Sequence, residues 1–363
     1  GRAAAEGRQV ISPMMIDPAT WAREMFDAQR RLAAGPHTLR AVGDVDFGCS
    51  PKDAVYRDDK LTLYRYANPN RRKDAVPFLI SYALVNRPYM VDLQENRSLV
   101  RGLLSRGEDV YIIDWGYPDQ ADRYLDMEDY VERFLGGCVD FLRASHGIEA
   151  INLMGICQGG VLSLCYAALH PEKIRNLVTT VTPVDFHTPD NLLSRWIQNI
   201  DMDLMVETLG NVPADQMNVS YLMLKPFRLN FQKYAGFVDT LEDAGQVEDF
   251  LRMEKWIFDS PDQAGEMLRQ FVNQFYKGNG FVNGGIRVGT RAPTLADVTM
   301  PVLNIYALQD HLVPPDASRA LKGLVGTKDY SELAFRGGHI GIYVSSRAQH
   351  EVPTAICDWL SRR

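Results

Sequence analysis

From residue 76 to residue 181, short apolar runs alternate with stretches of helical spacing. That alternation restricts the chain to a mainly parallel sheet with helices on its faces, an α/β fold. Residues 76–84 read as the first strand, a helical stretch beyond Pro88 runs to Leu104, and 110–113 form the next strand. A helix over 127–143 leads to the strand 151–154, a helix ending at Leu169 and the strand 176–181. Right-handed crossovers place the C-terminal ends of such strands on one edge of the sheet, where ligands bind.

Within the alternation, residues 151–160, INLMGICQGG, join an apolar strand to an apolar helix through Gly155-Ile156-Cys157-Gln158-Gly159. A side chain held at a sharp strand-to-helix turn needs neighbours without Cβ atoms, so that strand and helix can pack closely beneath it. Cys157 stands where such a turn presents a nucleophile, at a helix N-terminus whose partial positive charge favours a thiolate. The same five residues also fit a buried cysteine in a Gly-rich turn. The rest of the chain has to decide.

Residues 183–298 lose the alternation and are rich in aromatics and methionine, including Phe186, Trp196, Met202, Tyr221, Phe227, Phe231 and Trp256. They read as an inserted, mainly helical cap, whose apolar side chains mostly pack the cap itself while a minority line an apolar tunnel. Residues 279–285, NGFVNGG, read as loop. Strand and helix patterning then returns, with strands at 301–307 and 331–335, a helix at 317–324 and a closing helix through Trp359. The expected domains are a core of 16–182 and 299–363 and a cap of 183–298. Residues 1–15 read as a flexible tail, since they lack the charged and apolar regions of a signal peptide. An amphipathic helix is expected over 18–34, closed by Gly35-Pro36, which either covers its own core, the favoured reading, or docks another chain. Residues 54–67 suggest a hairpin, followed by a turn at Asn68-Pro69-Asn70.

No apolar run approaches the roughly 18 residues that a membrane span needs, so no transmembrane segment is expected. Cysteines at 49, 138, 157, 165 and 357 are odd in number and show no CxxC spacing. That disfavours a disulfide framework and a zinc site, and fits free thiols in the cytoplasm with no metal. A net charge of -7, with no basic cluster larger than Arg71-Arg72-Lys73, leaves no footprint for nucleic acid.

Two later residues complete a site with Cys157. Asp310 directly follows a strand in LQDHLVPP, and His339 follows the last strand through Arg336-Gly337-Gly338. Nucleophile, acid and histidine in that order, the last two on loops after late strands, is the triad order of α/β-hydrolases. His339 is then the base and Asp310 the group that fixes its tautomer. The oxyanion hole is expected from the backbone N–H of Gln158 and a second N–H near Val85. His311 is a possible helper, Asp185 a weaker alternative acid, and His37, His146 and His350 read as surface residues. Cys138 lies in a helical pattern and reads as core. The residues alone therefore indicate a cysteine hydrolase or acyltransferase, a thioesterase or dienelactone-hydrolase-like enzyme included. A non-catalytic scaffold is the reading that the intact triad disfavours.

GICQGG around Cys157, LQDHLVPP around Asp310 and FRGGHIGIYVS around His339 resemble the catalytic segments of poly(3-hydroxyalkanoate) synthases. YALVNRPYM, DVYIIDWGYPDQADR, VTPVDFHTPDNLL, RMEKWIFDSPDQAGE and NGFVNGG extend the resemblance from about Met15 to the C-terminus, and to the class III catalytic subunits in particular. The resemblance implies an α/β-hydrolase core with an inserted cap. It also implies polymerisation of short-chain (R)-3-hydroxyacyl groups from coenzyme A thioesters, through an acyl group carried on Cys157. Coenzyme A enters as part of the substrate, and no further cofactor is expected. A non-catalytic second synthase subunit, a homodimeric or hetero-oligomeric state and a place at the surface of cytoplasmic polyester granules are likewise implied by the family.

Overall fold

The computed structural model describes residues 18–363, apart from the side chains of Pro18 and of residues 228–230, so the tail expected at 1–15 lies outside the described residues. Contacts divide the chain into two units: the N-terminal segment through Val45 with Pro226–Leu251, and Asp46–Lys225 with Arg252–Arg363. The residues expected as one cap, 183–298, are thus shared between the two units.

In the first unit, helix α1, Pro18–Val42, does not stop at Gly35-Pro36 but carries Pro36 inside it. A proline there removes one backbone bond and crowds the preceding turn. Packing within the unit holds the helix past it: the missing Cβ of Gly35 leaves room for Leu241, and Arg30 and Arg31 pair with Glu242 and Asp239. Trp21, Met25, Phe26 and Leu32 are exposed along this helix.

The second unit is built on an eight-stranded sheet. Strands β1 (Lys52–Asp58) and β2 (Leu61–Tyr66) form the expected hairpin, closed off by an Asx turn in which Asn68 Oδ1 accepts from Asn70 N. β3 (Pro77–Ser81) precedes a small two-stranded sheet of β4 (Asp92–Gln94) and β5 (Arg97–Ser98). The main sheet continues with β6 (Asp109–Asp114), β7 (Ile151–Ile156), β8 (Ile174–Thr180), β9 (Val302–Ala307) and β10 (Tyr330–Phe335). Its order is β1-β2-β6-β3-β7-β8-β9-β10, with parallel pairing from β6 to β10 and antiparallel pairing of β2 with β6 and with β1.

Parallel strands covered on both faces require apolar side chains at every position rather than at alternate ones. The alternation of faces is visible within those runs: Leu79, Leu153 and Leu177 join one core, and Phe78, Ile80, Met154 and Val178 the other. Helices α3 (Gly136–His146) and α4 (Gln158–Leu169) cover the first face. On the second face, α2 (Leu99–Leu104) packs with Ala348–Leu360, and a Cβ on Gly102 would collide with Pro353. Cys138 is fully buried in the first core, as expected.

The helix expected from Pro88 to Leu104 forms only at its end. A short turn, Pro88–Val91, and the β4–β5 hairpin replace the rest. The cause is Asp92, which is fully buried and accepts from Ser50 N (2.9 Å), Ser50 Oγ (2.9 Å), Ser98 Oγ (2.6 Å) and Cys49 Sγ (3.2 Å). A buried carboxylate needs such donors, and a helix would not bring Ser50 and Ser98 to it together. Asp92→Ala is expected to lower stability by about 3 kcal/mol through the buried donors it strands, read as a reduced urea midpoint at unchanged slope. The helix expected over 127–143 likewise opens with a π-helical stretch, Asp129–Leu135, before α3, and Gly280–Asn283 form one helical turn where loop was expected. Helical segments fill the chain between β8 and β9.

Candidate active site

β3 and β7 are neighbours, yet the chain leaves β3 towards β6 and leaves β7 towards β8. The crevice outside their C-terminal ends is a topological switch point, where open parallel sheets bind ligands. Cys157 caps α4 there with φ 53° and ψ -119°, and it is half-buried. A residue with a Cβ rarely adopts that positive φ, and it persists here because its surroundings over-determine it. Cys157 N donates to Thr180 O (2.9 Å), and its own carbonyl accepts from Gly160 N (3.0 Å). A Cβ on Gly159 would fall against the carbonyl oxygens of Ser81 and Tyr82, and one on Gly155 would lie 2.5 Å from Gly160 Cα and 2.7 Å from Ser163 Oγ. The glycines of GICQG thus let β7, α4 and the end of β3 pack closely enough to raise Cys157 at the turn.

Asp310 and His339 lie on loops after the adjacent strands β9 and β10, which Leu308 N to Phe335 O (2.8 Å) and Gln309 N to Gly337 O (2.8 Å) tie together. One carboxylate oxygen of Asp310 accepts from Leu312 N (2.8 Å) and Val313 N (3.0 Å), and the other accepts from His339 Nδ1 at 2.7 Å. Both residues are buried. With Nδ1 given to Asp310, the other ring nitrogen is left free of that pair, and Cys157 is close enough to act on the ring electrostatically. Burial alone favours the neutral ring. The negative charges of Asp310 and Cys157, with the hydrogen bond to Asp310, outweigh it and raise the imidazole from its usual 6.5 to about 10.

The first turn of α4 leaves the Gln158 N–H without an acceptor inside the helix. The side chain of Gln158 turns back, and its Oε1 accepts from Leu84 N (3.2 Å), which fixes the loop carrying Val85 beside the elbow. Val85 and Cys157 pack on the same apolar core. Asp310 and His339, foreseen in the sequence, are thus paired, Cys157 lies near enough to act on the ring, and the loop expected to carry the second oxyanion donor is tied to the elbow through Gln158. His311 is half-buried in the turn after Asp310. Asp185 is drawn elsewhere, its Oδ1 accepting from His187 N (2.9 Å) and Asn279 Nδ2 (2.9 Å). His37 and His350 are exposed, whereas His146 is half-buried and bonded to Tyr111 Oη (2.8 Å), a correction to its reading as a surface residue.

Four tyrosines were not singled out as neighbours of Cys157, although Tyr221 was counted among the aromatics of the insertion. Tyr82, Tyr221, Tyr276 and Tyr343 all have raised pKa values, first through burial and then through charges that in each case include Cys157. Tyr82 directly follows β3 on the ligand edge, a position that topology alone could have flagged. Tyr221 and Tyr276 come from the insertion, where no pattern in the sequence marks them. Among the described residues, no group of three or more His, Cys, Asp or Glu is arranged to hold a metal ion, and no helix is long and apolar enough to cross a membrane.

A parallel sheet with a strained turn carrying Cys157 after β7 and an Asp–His pair after β9 and β10 defines an α/β-hydrolase fold. Residues 77–346 match the family model of the alpha/beta hydrolase fold. Solved structures agree on the fold: a non-heme bromoperoxidase-type protein, BpoC of Mycobacterium tuberculosis, superposes with a TM-score of 0.52 at 13% identity over 85% of this chain and 98% of its own. A structure from work on LipS and LipT, two metagenome-derived lipolytic enzymes, gives 0.51 at 12% identity over 88% and 100%. Closer relatives are named poly(3-hydroxyalkanoate) polymerase subunit PhaC. That of Allochromatium vinosum is 60% identical over 97% of this chain and 99% of the relative, that of Thiocystis violacea 56% over 97% and 100%, and that of Synechocystis sp. 48% over 94% and 92%. The chain belongs to the poly(3-hydroxyalkanoate) polymerase family.

Proposed function

We propose that this chain is the catalytic subunit that polymerises short-chain (R)-3-hydroxyacyl groups from coenzyme A thioesters, holding the acyl group as a thioester on Cys157. The single observation that carries the reading is a cysteine at the strained turn after β7 whose charge acts on a histidine that is itself fixed by Asp310 at 2.7 Å. The names of the relatives supply the product class.

His339 takes the Cys157 proton, and the thiolate attacks the thioester carbonyl. The tetrahedral oxyanion is met by the N–H groups of Gln158 and Val85, and preorganised donors of this kind stabilise charge most where water is excluded. Coenzyme A leaves with the proton from His339, and the acyl group remains on Cys157. A hydroxyl group of a second hydroxyacyl unit then attacks, passes its proton to His339 and forms the new ester bond, releasing Cys157 as thiolate. Exchange between thiol and thioester is nearly balanced, so the acyl group on sulfur keeps its activation, which an ester on serine would lose. Water at the acyl-enzyme would give free acid instead. Burial of His339 and Asp310 and the tyrosines drawn around Cys157 support its exclusion.

A non-catalytic second subunit, oligomerisation and residence on polyester granules belong to the same reading; of these, the word subunit in the relatives' names supports the first. The test supplies (R)-3-hydroxybutyryl-CoA to the protein with and without its second subunit and measures free coenzyme A, free hydroxybutyrate and polymer. Polymer formed in step with coenzyme A is the expected result. Stoichiometric free hydroxybutyrate without polymer would make the protein a thioesterase.

A further inference from the structure

The loop that follows β3 is fastened from an unexpected direction. Gln158 holds Leu84 N, but the Leu84 carbonyl accepts from Nε2 of Gln263 (3.0 Å), a residue of the insertion. Two further contacts come from the same short stretch: Asn86 Nδ2 donates to Ser260 Oγ (2.7 Å), and Trp256 Nε1 donates to Arg87 O (2.9 Å). Residues 256–263 therefore strap the loop at Leu84, Asn86 and Arg87, on either side of Val85. The strap is anchored in turn. Gln263 is 4% exposed, its backbone exchanges both hydrogen bonds with Val212 (2.9 and 3.0 Å), and its Nε2 also reaches Pro261 O (3.2 Å).

We propose that Gln263 is a positioning residue for acyl transfer: by clamping the Leu84 carbonyl opposite Gln158, it aims the Val85 N–H at the acyl oxygen on Cys157. The inference rests on the oxyanion hole of the reading above. Gln263 touches no reacting atom and acts through Leu84. Donors in an oxyanion hole work because they need no reorganisation when charge develops, so a small error in aim costs rate rather than substrate binding. The arrangement also makes the insertion part of the catalytic apparatus: segment 256–263 cannot leave the loop without releasing Leu84, Asn86 and Arg87.

Gln263→Leu keeps the volume and removes the donor. Three readouts are taken on the purified full chain with its second subunit: coenzyme A release from (R)-3-hydroxybutyryl-CoA, the rate of Cys157 alkylation by iodoacetamide, and the melting temperature. Alkylation at sulfur needs the thiolate and His339 but forms no oxyanion, so it separates aim of the loop from integrity of the triad. The expected result is a fall in kcat of about 10- to 100-fold, less than the roughly 100- to 1,000-fold of deleting a donor outright, with KM and the alkylation rate within about twofold of the unmodified protein. Ser260→Ala, a milder change at the same strap, is expected to lower kcat in the same sense by about threefold, again without slowing alkylation. An unchanged kcat in Gln263→Leu, or parallel losses of kcat, alkylation and melting temperature in both variants, would overturn the proposal. Absence of coenzyme A release by the unmodified protein would instead count against the proposed function.

Discussion

Cys157→Ala brings coenzyme A release from (R)-3-hydroxybutyryl-CoA down to background, a loss of about 10⁶-fold in kcat, the scale seen when a nucleophile is deleted from a preformed triad. Alanine retains the Cβ of cysteine, so the strain at φ 53° is unchanged and the variant differs at the turn by one sulfur atom. The loss is therefore read as chemistry, and an unchanged melting temperature is the accompanying expectation. Cys157→Ser sharpens the point. A serine at this turn is a much weaker nucleophile towards a thioester, and any ester it forms resists attack by a hydroxyl group, so growth stalls after the first acylation. The measurement is coenzyme A release by thiol titration, with Ala at background and Ser showing at most one equivalent per chain.

Asp310→Asn is the second large effect, about 10⁴-fold in kcat. In the unmodified chain one carboxylate oxygen is given to two backbone N–H groups and the other to His339 Nδ1, so the ring can present only its other nitrogen to Cys157. An asparagine amide placed there can offer N–H to the ring and select the opposite tautomer. The change also has a pH signature. The folded-state pKa of His339, about 10, lies above the ordinary value of 6.5. The stability that comes from holding the charged ring beside Asp310 is therefore fully present below about pH 6.5 and is lost as pH rises through about 10. The melting-temperature gap between the unmodified protein and Asp310→Asn is expected to be widest near pH 6 and to narrow towards pH 10. A gap that widens with pH would contradict the electrostatic account of the pair.

The part of the fold that positions the candidate site was legible because its constraints are local. A nucleophile turn confines its glycines to a few consecutive positions, and the close approaches of Gly155 and Gly159 to their neighbours are the physical reason for that spacing. Asp310 and His339 were readable from their places after successive strands, since parallel topology fixes which edge they reach. The misreadings share the opposite property. Asp92 draws Ser50 from across the sequence to the same carboxylate as the nearby Ser98 and turns an apparently helical stretch into a hairpin. Leu241 and two acidic residues more than two hundred positions away carry α1 through Gly35-Pro36. Tyr221, Tyr276 and Gln263 come from an insertion whose aromatic and polar residues show no periodic signal for the side they present. In each case at least one deciding partner is distant in the chain, and a pattern read within a window of a dozen residues cannot contain it.

The central claim is that Cys157 carries the acyl group covalently, and mass analysis of the quenched enzyme tests it most directly. After a short reaction with (R)-3-hydroxybutyryl-CoA and acid quenching, the peptide spanning Cys157 is predicted to carry one or more hydroxybutyryl units, which neutral hydroxylamine removes as expected of a thioester. Coenzyme A release at the full rate with an unmodified Cys157 peptide, or with the acyl group on another residue, would contradict it.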